Sequence, residues 1–281
     1  MPDLPSEPSL QQLRHQARDL QRAVRRGDQD ALAEVAGRHP SGRPDGAAAA
    51  AFPLSAAQLV VARRYDFPSW VRLRRYVEVV ERYSRFPERM AVAAPDHPAD
   101  EFLRLACLYY EDDEPGRWAQ ARLILLDHPE ITRLSVCAAA AAADLPRLAA
   151  HLAADRRAAA RPGGPFRCEP LFYLAYARHD PAIGEAAVLG AARTLLQAGA
   201  DPNAGYLWHG LPTPFTVLTG VFGEGELGPV RQPRHPHALA LARLLLEAGA
   251  DPNDGQALYN RMFGPGDDHL ELLFGSRCSS R

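Results

Sequence analysis

Leu195-Leu-Gln-Ala-Gly-Ala-Asp-Pro-Asn203 recurs 50 residues later as Leu245-Leu-Glu-Ala-Gly-Ala-Asp-Pro-Asn253. In each copy an apolar helical segment meets a glycine, Gly199 or Gly249, which adopts a left-handed backbone at little cost. The Asp-Pro-Asn triplet that follows is typical of a turn. The repeat therefore predicts two helices that end in the same way, and a fold built from repeated helical units.

A helix start is expected between the two copies, in Gly210-Leu-Pro-Thr-Pro-Phe-Thr-Val-Leu218. A threonine can accept a hydrogen bond from the first turn of a helix, and proline suits the first helical position. We therefore expect Thr213 to cap a helix that begins at Pro214. The residues expected to shape these turns and caps are Gly199, Asp201, Thr213, Pro214, Gly249 and Asp251.

These residues resemble the ankyrin repeat family, whose unit of about 33 residues reads Thr-Pro-Leu-His, helix, turn, second helix and Gly-Ala-Asp-x-Asn. Pro214 and Asp251 lie 37 residues apart, and Pro170 and Asp201 lie 31 apart, which is more than this unit needs. The resemblance implies an all-α solenoid of about five degenerate helix pairs between residues 99 and 275, with enlarged turns inside the pairs. No segment of useful length alternates with a period of two, so no sheet is expected.

Two domains are predicted, a helical N-terminal region at residues 1–95 and an ankyrin repeat domain at 96–281. In the first, apolar residues recur at helical spacing from Leu10 to His39, with Gly27-Asp28 as a stop and a new cap. A further helix is expected from about Leu54 to Arg64 and another after Pro68. This region resembles the helical leader of some bacterial ankyrin proteins.

Composition and charge exclude several classes of protein. The apolar share is 47%, the charged share is 23% and the formal net charge is -2, as in ordinary globular proteins without a strong positive field. No uncharged apolar run reaches the ~18 residues of a membrane span. The four cysteines follow no zinc spacing. We expect a cytoplasmic protein that needs no cofactor or metal and does not insert into membranes.

The predicted function is protein recognition, because the ankyrin-like residues supply cores, caps and turns but no catalytic group. Aromatic anchors are expected on the concave face and on the finger loops between helix pairs, where they bury much area at little entropic cost. The alternative for Trp208 is packing over the inserted turn of the next repeat. The candidate residues for binding an unidentified protein are Phe166, Tyr176, Tyr206, Trp208 and His209.

Two other segments are expected to lie in solvent. Residues 223–234 contain three glycines and two prolines, which predicts an exposed excursion that can be shortened with little loss of stability. The acidic run Asp112-Asp113-Glu114 is expected to be a solvated turn.

Two alternatives to protein recognition stay open. Residues 63–89 carry eight arginines interleaved with aromatic residues, which suits a nucleic-acid-binding regulator, although four acidic residues and the overall charge disfavour that partner. An enzyme, or an antitoxin-like regulator, with chemistry in the inserted turns is the other. His235 and His237 suit a metal, but the proline between them favours a solvated loop, and no metal site is predicted.

The last helix pair is expected to be the least protected. The sequence stops soon after the apolar segment 270–274, whereas stacked repeats need a polar cap on their final face. We therefore expect residues 256–275 to be a surface for self-association, with Cys278 open to oxidation.

Overall fold

Helices dominate the structure, a computed structural model that describes residues 4–5, 8–83, 97–111, 113–211, 213–264 and 266–278. Seventeen α-helices lie within these ranges, as the all-α prediction requires. Contacts within the chain divide it into two units, Met1–Arg82 and Tyr83–Arg281. The predicted domain boundary at residue 95 lies outside the described residues.

The described residues of the first unit form five helices, which enclose a core of their own. Asp28 caps the second by accepting a hydrogen bond from the backbone N–H of Ala31 at 2.9 Å, and Gly27 precedes it with φ 77°. The predicted stop and cap at Gly27-Asp28 and the helix 54–64 are therefore confirmed. The helices are α1 (Leu10–Arg25), α2 (Gln29–Arg38), α3 (Gly46–Ala50), α4 (Leu54–Arg64) and α5 (Trp70–Arg82).

The arginines of α4 and α5 serve partly as structural groups. Arg64 forms a two-pronged ion pair with Glu34, with N–O distances of 2.8 and 2.9 Å, whereas Arg72 and Arg75 are exposed. Arg85 and Arg89 lie outside the described residues. Nucleic-acid binding by this surface stays a prediction.

The second unit arranges its helices in two rows. In the first row, α6, α9, α11, α13 and α16 pack on one another in that order, and α10, α12, α15 and α17 do the same in the second. The short helix α11 is buried along its whole length, as the first row forms the centre of the core. The helices are α6 (Pro98–Ala106), α7 (Pro115–Asp127), α8 (Ile131–Leu134), α9 (Val136–Ala141), α10 (Leu145–Ala154), α11 (Pro170–Tyr176), α12 (Glu185–Ala198), α13 (Val217–Phe222), α14 (Gly228–Arg231), α15 (Ala238–Glu247), α16 (Gly255–Arg261) and α17 (Asp268–Cys278).

A short β-hairpin interrupts the helices. Strand β1 (Gly205–Leu207) pairs antiparallel with β2 (Pro214–Thr216), and Tyr206 lies opposite Phe215. The expectation of no sheet is therefore wrong at this point. Strands of three residues are too short to show a period of two in the sequence.

Helix α13 begins three residues later than predicted, because Pro214 belongs to β2. Thr216, and not Thr213, is the cap: its hydroxyl accepts from the N–H of Thr219 at 3.4 Å, and Thr219 Oγ1 accepts from the N–H of Thr216 at 3.2 Å. The buried carboxylate of Asp254 accepts hydrogen bonds from both hydroxyls and also caps α16. One side chain thus joins two successive helices of the first row.

The two copies of the repeated turn adopt the same conformation. Gly199 has φ 106° and Gly249 has φ 98°, which confirms the left-handed ends predicted for α12 and α15. Asp201 Oδ1 accepts from the N–H of Asn203, and Asp251 Oδ1 accepts from the N–H of Asn253, both at 2.9 Å. Both predicted turns are confirmed.

Asn203 links one copy to the other. Its Nδ2 donates to the carbonyl oxygen of Gly249 at 2.9 Å, and its Oδ1 accepts from the N–H of Asp251 at 2.7 Å. The repeated turns therefore stack side by side, in register with the two helix rows.

Replacement of Gly199 or Gly249 by Val is expected to lower the free energy of unfolding by about 1 kcal/mol or more. No atom lies within 4 Å of an added Cβ at either position, so the cost comes from the positive φ alone. Urea unfolding measures it. Gly116→Ala in α7 is the control, since Gly116 has no positive φ, and an equal loss in that variant contradicts the capping explanation.

Candidate functional site

A cleft of about 350 Å³ lies in the second unit between the β-hairpin, the inserted segment 223–234 and helix α16. We call it the hairpin cleft. Its volume is that of a small-molecule or short-peptide site. The residues that matter most for its chemistry are Tyr110, Trp208, Phe215, Glu226, Tyr259 and Asn260.

The β-hairpin places Trp208 in the cleft wall. The residue follows β1 directly, is half-buried, and has its ring 6.2 Å from that of Phe215 and 4.3 Å from that of His209. Its Nε1 is shielded and finds no hydrogen-bond partner in the described part of the chain. Trp208 thus packs on the core and also lines a cleft.

Three of the five predicted anchors are core residues, so the expectation that they face a partner is wrong. Tyr206, Phe166 and Tyr176 are each exposed by 2% or less. Tyr176 donates its hydroxyl to the carbonyl of Thr216 at 2.8 Å. These rings belong to one aromatic cluster that fills the space between the loops, a long-range arrangement that finger composition alone does not reveal.

His209, the fifth predicted anchor, is exposed at the tip of the hairpin. Its Nε2 lies 2.5 Å from Glu111 Oε1, so the hairpin is tied to the loop after α6. Thr213 is also exposed and lines the cleft. The structure thus brings Trp208, His209 and Thr213 to one place.

Asp113 organises the opposite wall, contrary to the expectation of a solvated acidic turn. Its fully buried carboxylate accepts from the N–H of Tyr110 at 2.8 Å, from Arg117 at 2.9 Å and from Gln232 Nε2 at 3.2 Å. Burial raises the pKa of Asp113 to about 6, and the Arg117 guanidinium opposes that shift. Glu114 is exposed as predicted, and Asp112 lies outside the described residues.

The inserted segment 223–234 is anchored at both ends, so the prediction of a wholly exposed and removable excursion is wrong. Glu224 is buried and pairs with the buried Arg261 of α16, and Gln232 is 2% exposed. Only the middle, with Val230 at 74% exposure, faces solvent. A deletion that removes Glu224 or Gln232 leaves their buried partners without hydrogen bonds.

The cleft combines an aromatic and amide floor with an acidic rim. Asn260 is 2% exposed, and its Oδ1 accepts from Gln256 Nε2 at 2.8 Å. Its Nδ2 has no acceptor of good geometry among the described residues, although the amide lies near the Tyr110 hydroxyl, whose pKa burial raises. At the rim, Glu226 accepts from the Tyr259 hydroxyl at 2.7 Å.

His179 and His235 are buried histidines that lie close together outside the cleft. His179 is 1% exposed, and neither ring nitrogen has a hydrogen-bond partner among the described residues. A small void separates it from His235 and His237. Burial lowers the pKa of His179 to about 4 and that of His235 well below its usual value. In the part of the chain that the structure describes, no three His, Cys, Asp or Glu side chains are grouped to hold a metal.

The described thiols are held in the core. Cys107, Cys137 and Cys168 are free and buried, and burial raises the pKa of all three, that of Cys137 to about 12. Such thiols are poor nucleophiles at neutral pH. The side chain of Cys278 lies outside what the structure describes.

A second groove, of about 740 Å³, runs between α15 and α17. Leu239, Leu246 and Leu272 line it together with charged residues of both signs, among them Arg243 and Glu271. Self-association through this end of the unit stays a prediction.

Comparison of the chain with protein-family models, with curated proteins and with solved structures finds no match in any of the three. No helix among the described residues is both long enough and apolar enough to cross a membrane.

Several cleft residues were not predicted from the sequence. Tyr110 lies in the loop after α6, and Tyr259 and Asn260 lie on α16. No local motif marks them. The one available signal was the length of the insertion after α13, because an insertion that folds back on its own unit creates new walls.

Proposed function

We propose that this chain is a non-enzymatic protein-recognition protein whose second unit is a degenerate ankyrin-type solenoid. The two helix rows and the stacked Gly-Ala-Asp-Pro-Asn turns, joined through Asn203, support that architecture. Repeat stacks of this kind present extended surfaces and loops for binding. The binding surface proposed here is the hairpin cleft.

The observation that carries the proposal is the setting of Trp208. A half-buried tryptophan with an unused Nε1 donor lies in the wall of an open cleft, and Leu211 and Tyr259 at its edge are 53% and 43% exposed. Binding hot spots combine aromatic anchors in a pocket with surrounding residues that exclude water. The hairpin cleft has both elements.

Trp208→Ala is expected to weaken binding of cleft ligands by about tenfold or more. The test is a selection of short displayed peptides on the full chain, followed by affinity measurement of the selected peptides on the variant. Circular dichroism shows whether the variant keeps its helices.

Leu126→Ala is the matched control, because Leu126 of α7 is 68% exposed and does not line the cleft. Its affinity is expected to match that of the parent protein. Peptides that bind both variants as tightly as the parent contradict the assignment of the cleft, and so does the failure to select any peptide.

A further inference from the structure

We propose, building on the function proposed above, that the hairpin cleft binds an extended peptide segment in which an Arg or Lys stands next to an apolar residue. The basic side chain pairs with the acidic rim, the peptide carbonyls accept from the floor, and the apolar residue covers the exposed leucines. Three features of the cleft lead to this ligand.

The floor offers hydrogen-bond donors. Trp208 Nε1 and Asn260 Nδ2 are both shielded from solvent without an acceptor of good geometry in the described residues, and Asn260 is 2% exposed. A buried donor without a hydrogen-bond partner raises the free energy of the unbound protein. A ligand that supplies an acceptor there removes this cost when it binds. The carbonyl oxygens of an extended peptide are acceptors at regular spacing.

The rim supplies negative charge. Glu111 and Glu226 line the cleft, and no arginine does so among the described residues. The arginines of the adjoining segments are engaged elsewhere. Arg231 Nε donates to the carbonyl of Asp113 at 2.8 Å, and Arg261 is buried against Glu224. A cationic side chain therefore meets carboxylates without a competing arginine.

The apolar edge favours a polypeptide over a small cation. Leu211, Leu227 and Tyr259 line the cleft and are 53%, 38% and 43% exposed. A lone ammonium or guanidinium leaves this edge in water, whereas the neighbouring side chain of a peptide covers it. Electrostatic attraction and apolar contact then come from adjacent residues of the same ligand.

The experiment selects short random displayed peptides on the full chain and, in parallel, on Glu111→Gln/Glu226→Gln. The glutamines still accept hydrogen bonds from His209 and Tyr259, so only the charge is removed. We expect peptides from the parent selection to be enriched in Arg or Lys beside a large apolar residue. They should bind the double variant about tenfold more weakly, and this difference should shrink at high salt.

Glu185→Gln/Glu247→Gln is the matched control, since Glu185 lies on α12 and Glu247 on α15, and neither lines the cleft. Selected peptides that need Trp208 but carry no basic residue, or that bind the double variant as tightly as the parent, overturn this inference and leave the proposed function standing. Peptides that ignore both Trp208 and the carboxylates overturn the two proposals together.

Discussion

Between about pH 6.5 and pH 5 the protein is expected to lose stability that the His179→Leu variant retains. The folded chain holds His179 neutral, with its pKa lowered to about 4 by burial, whereas the unfolded chain protonates it near pH 6.5. Acidification therefore favours the unfolded state. Relative to the parent, the free energy of unfolding of the variant is expected to rise by about 1.4 kcal/mol for each pH unit below pH 6.5. The difference amounts to about 2 kcal/mol at pH 5.

The surroundings of His179 explain the direction. The centroid of its ring lies 4.9 Å from that of Phe102, in an edge-to-face arrangement. Burial is the main effect that disfavours the charged ring; Asp180 opposes it and Arg122 adds to it. His235 adds to the same acid sensitivity, because burial, Arg178, His237 and His179 all disfavour its protonation. At neutral pH, His179→Leu is expected to change the free energy of unfolding little, since an apolar group replaces two ring nitrogens without hydrogen-bond partners among the described residues.

The measurement is urea unfolding of both proteins across that pH range, followed through circular dichroism. The difference between the proteins is the decisive quantity, because the raised pKa of Asp113 gives the folded state extra proton affinity in the same range and opposes the histidines. His128→Gln is the control, an exposed histidine paired with Glu130. Parallel pH profiles for the parent and His179→Leu contradict the prediction.

Arg178→Met is expected to lower the free energy of unfolding by about 3 kcal/mol. The buried guanidinium donates to four carbonyl oxygens at 2.5–3.0 Å, and burial lowers its pKa to about 10. Loss of the side chain leaves those carbonyls shielded from water without a donor. The acceptors are the carbonyls of Ala175, Ala177, Gly220 and Pro233.

Two further variants separate this explanation from a simple loss of positive charge. Arg193→Met removes an exposed arginine of α12 and is expected to change stability by less than about 0.5 kcal/mol. Arg178→Lys is expected to recover only part of the loss, since an ammonium cannot reach acceptors that the planar guanidinium spans. Near-equal stabilities for Arg178→Met and Arg193→Met refute the role of these hydrogen bonds.

The parts of the fold that depend on neighbouring residues were predictable. Asp28 caps α2, Leu54–Arg64 is helical, and Gly199 and Gly249 are left-handed, because each feature follows from a propensity that acts within one turn of chain. The start of α13 was misplaced, because Thr216 is a second suitable cap three residues after Thr213. The partner that favours it, Asp254, lies 38 residues away.

The site was predictable only in part, because burial in this unit is decided between distant loops. Tyr206 and Tyr176 have the composition of exposed anchors, yet their rings lie 6.3 Å apart in the core. Trp208 and His209 were expected on a finger loop, since aromatic residues in a turn must either pack or bind. The structure places them on a loop that also carries the unpredicted β-hairpin. Asn260 and Glu226 acquire a role only through the fold of the insertion.

Asp113 makes hydrogen bonds to residues 118 and 119 positions further along the chain, through Arg231 and Gln232. A stack of helix pairs otherwise gains its contacts from sequence neighbours, and it can add or lose a pair without disturbing the others. Here the loop inside the first pair, between α6 and α7, meets the insertion of the fourth pair. A long stretch of chain must therefore close before that contact forms. Contacts of such separation slow folding. The same contacts fix the number of helix pairs that lie between these two loops. The duplication or loss of a helix pair would therefore disrupt the cleft.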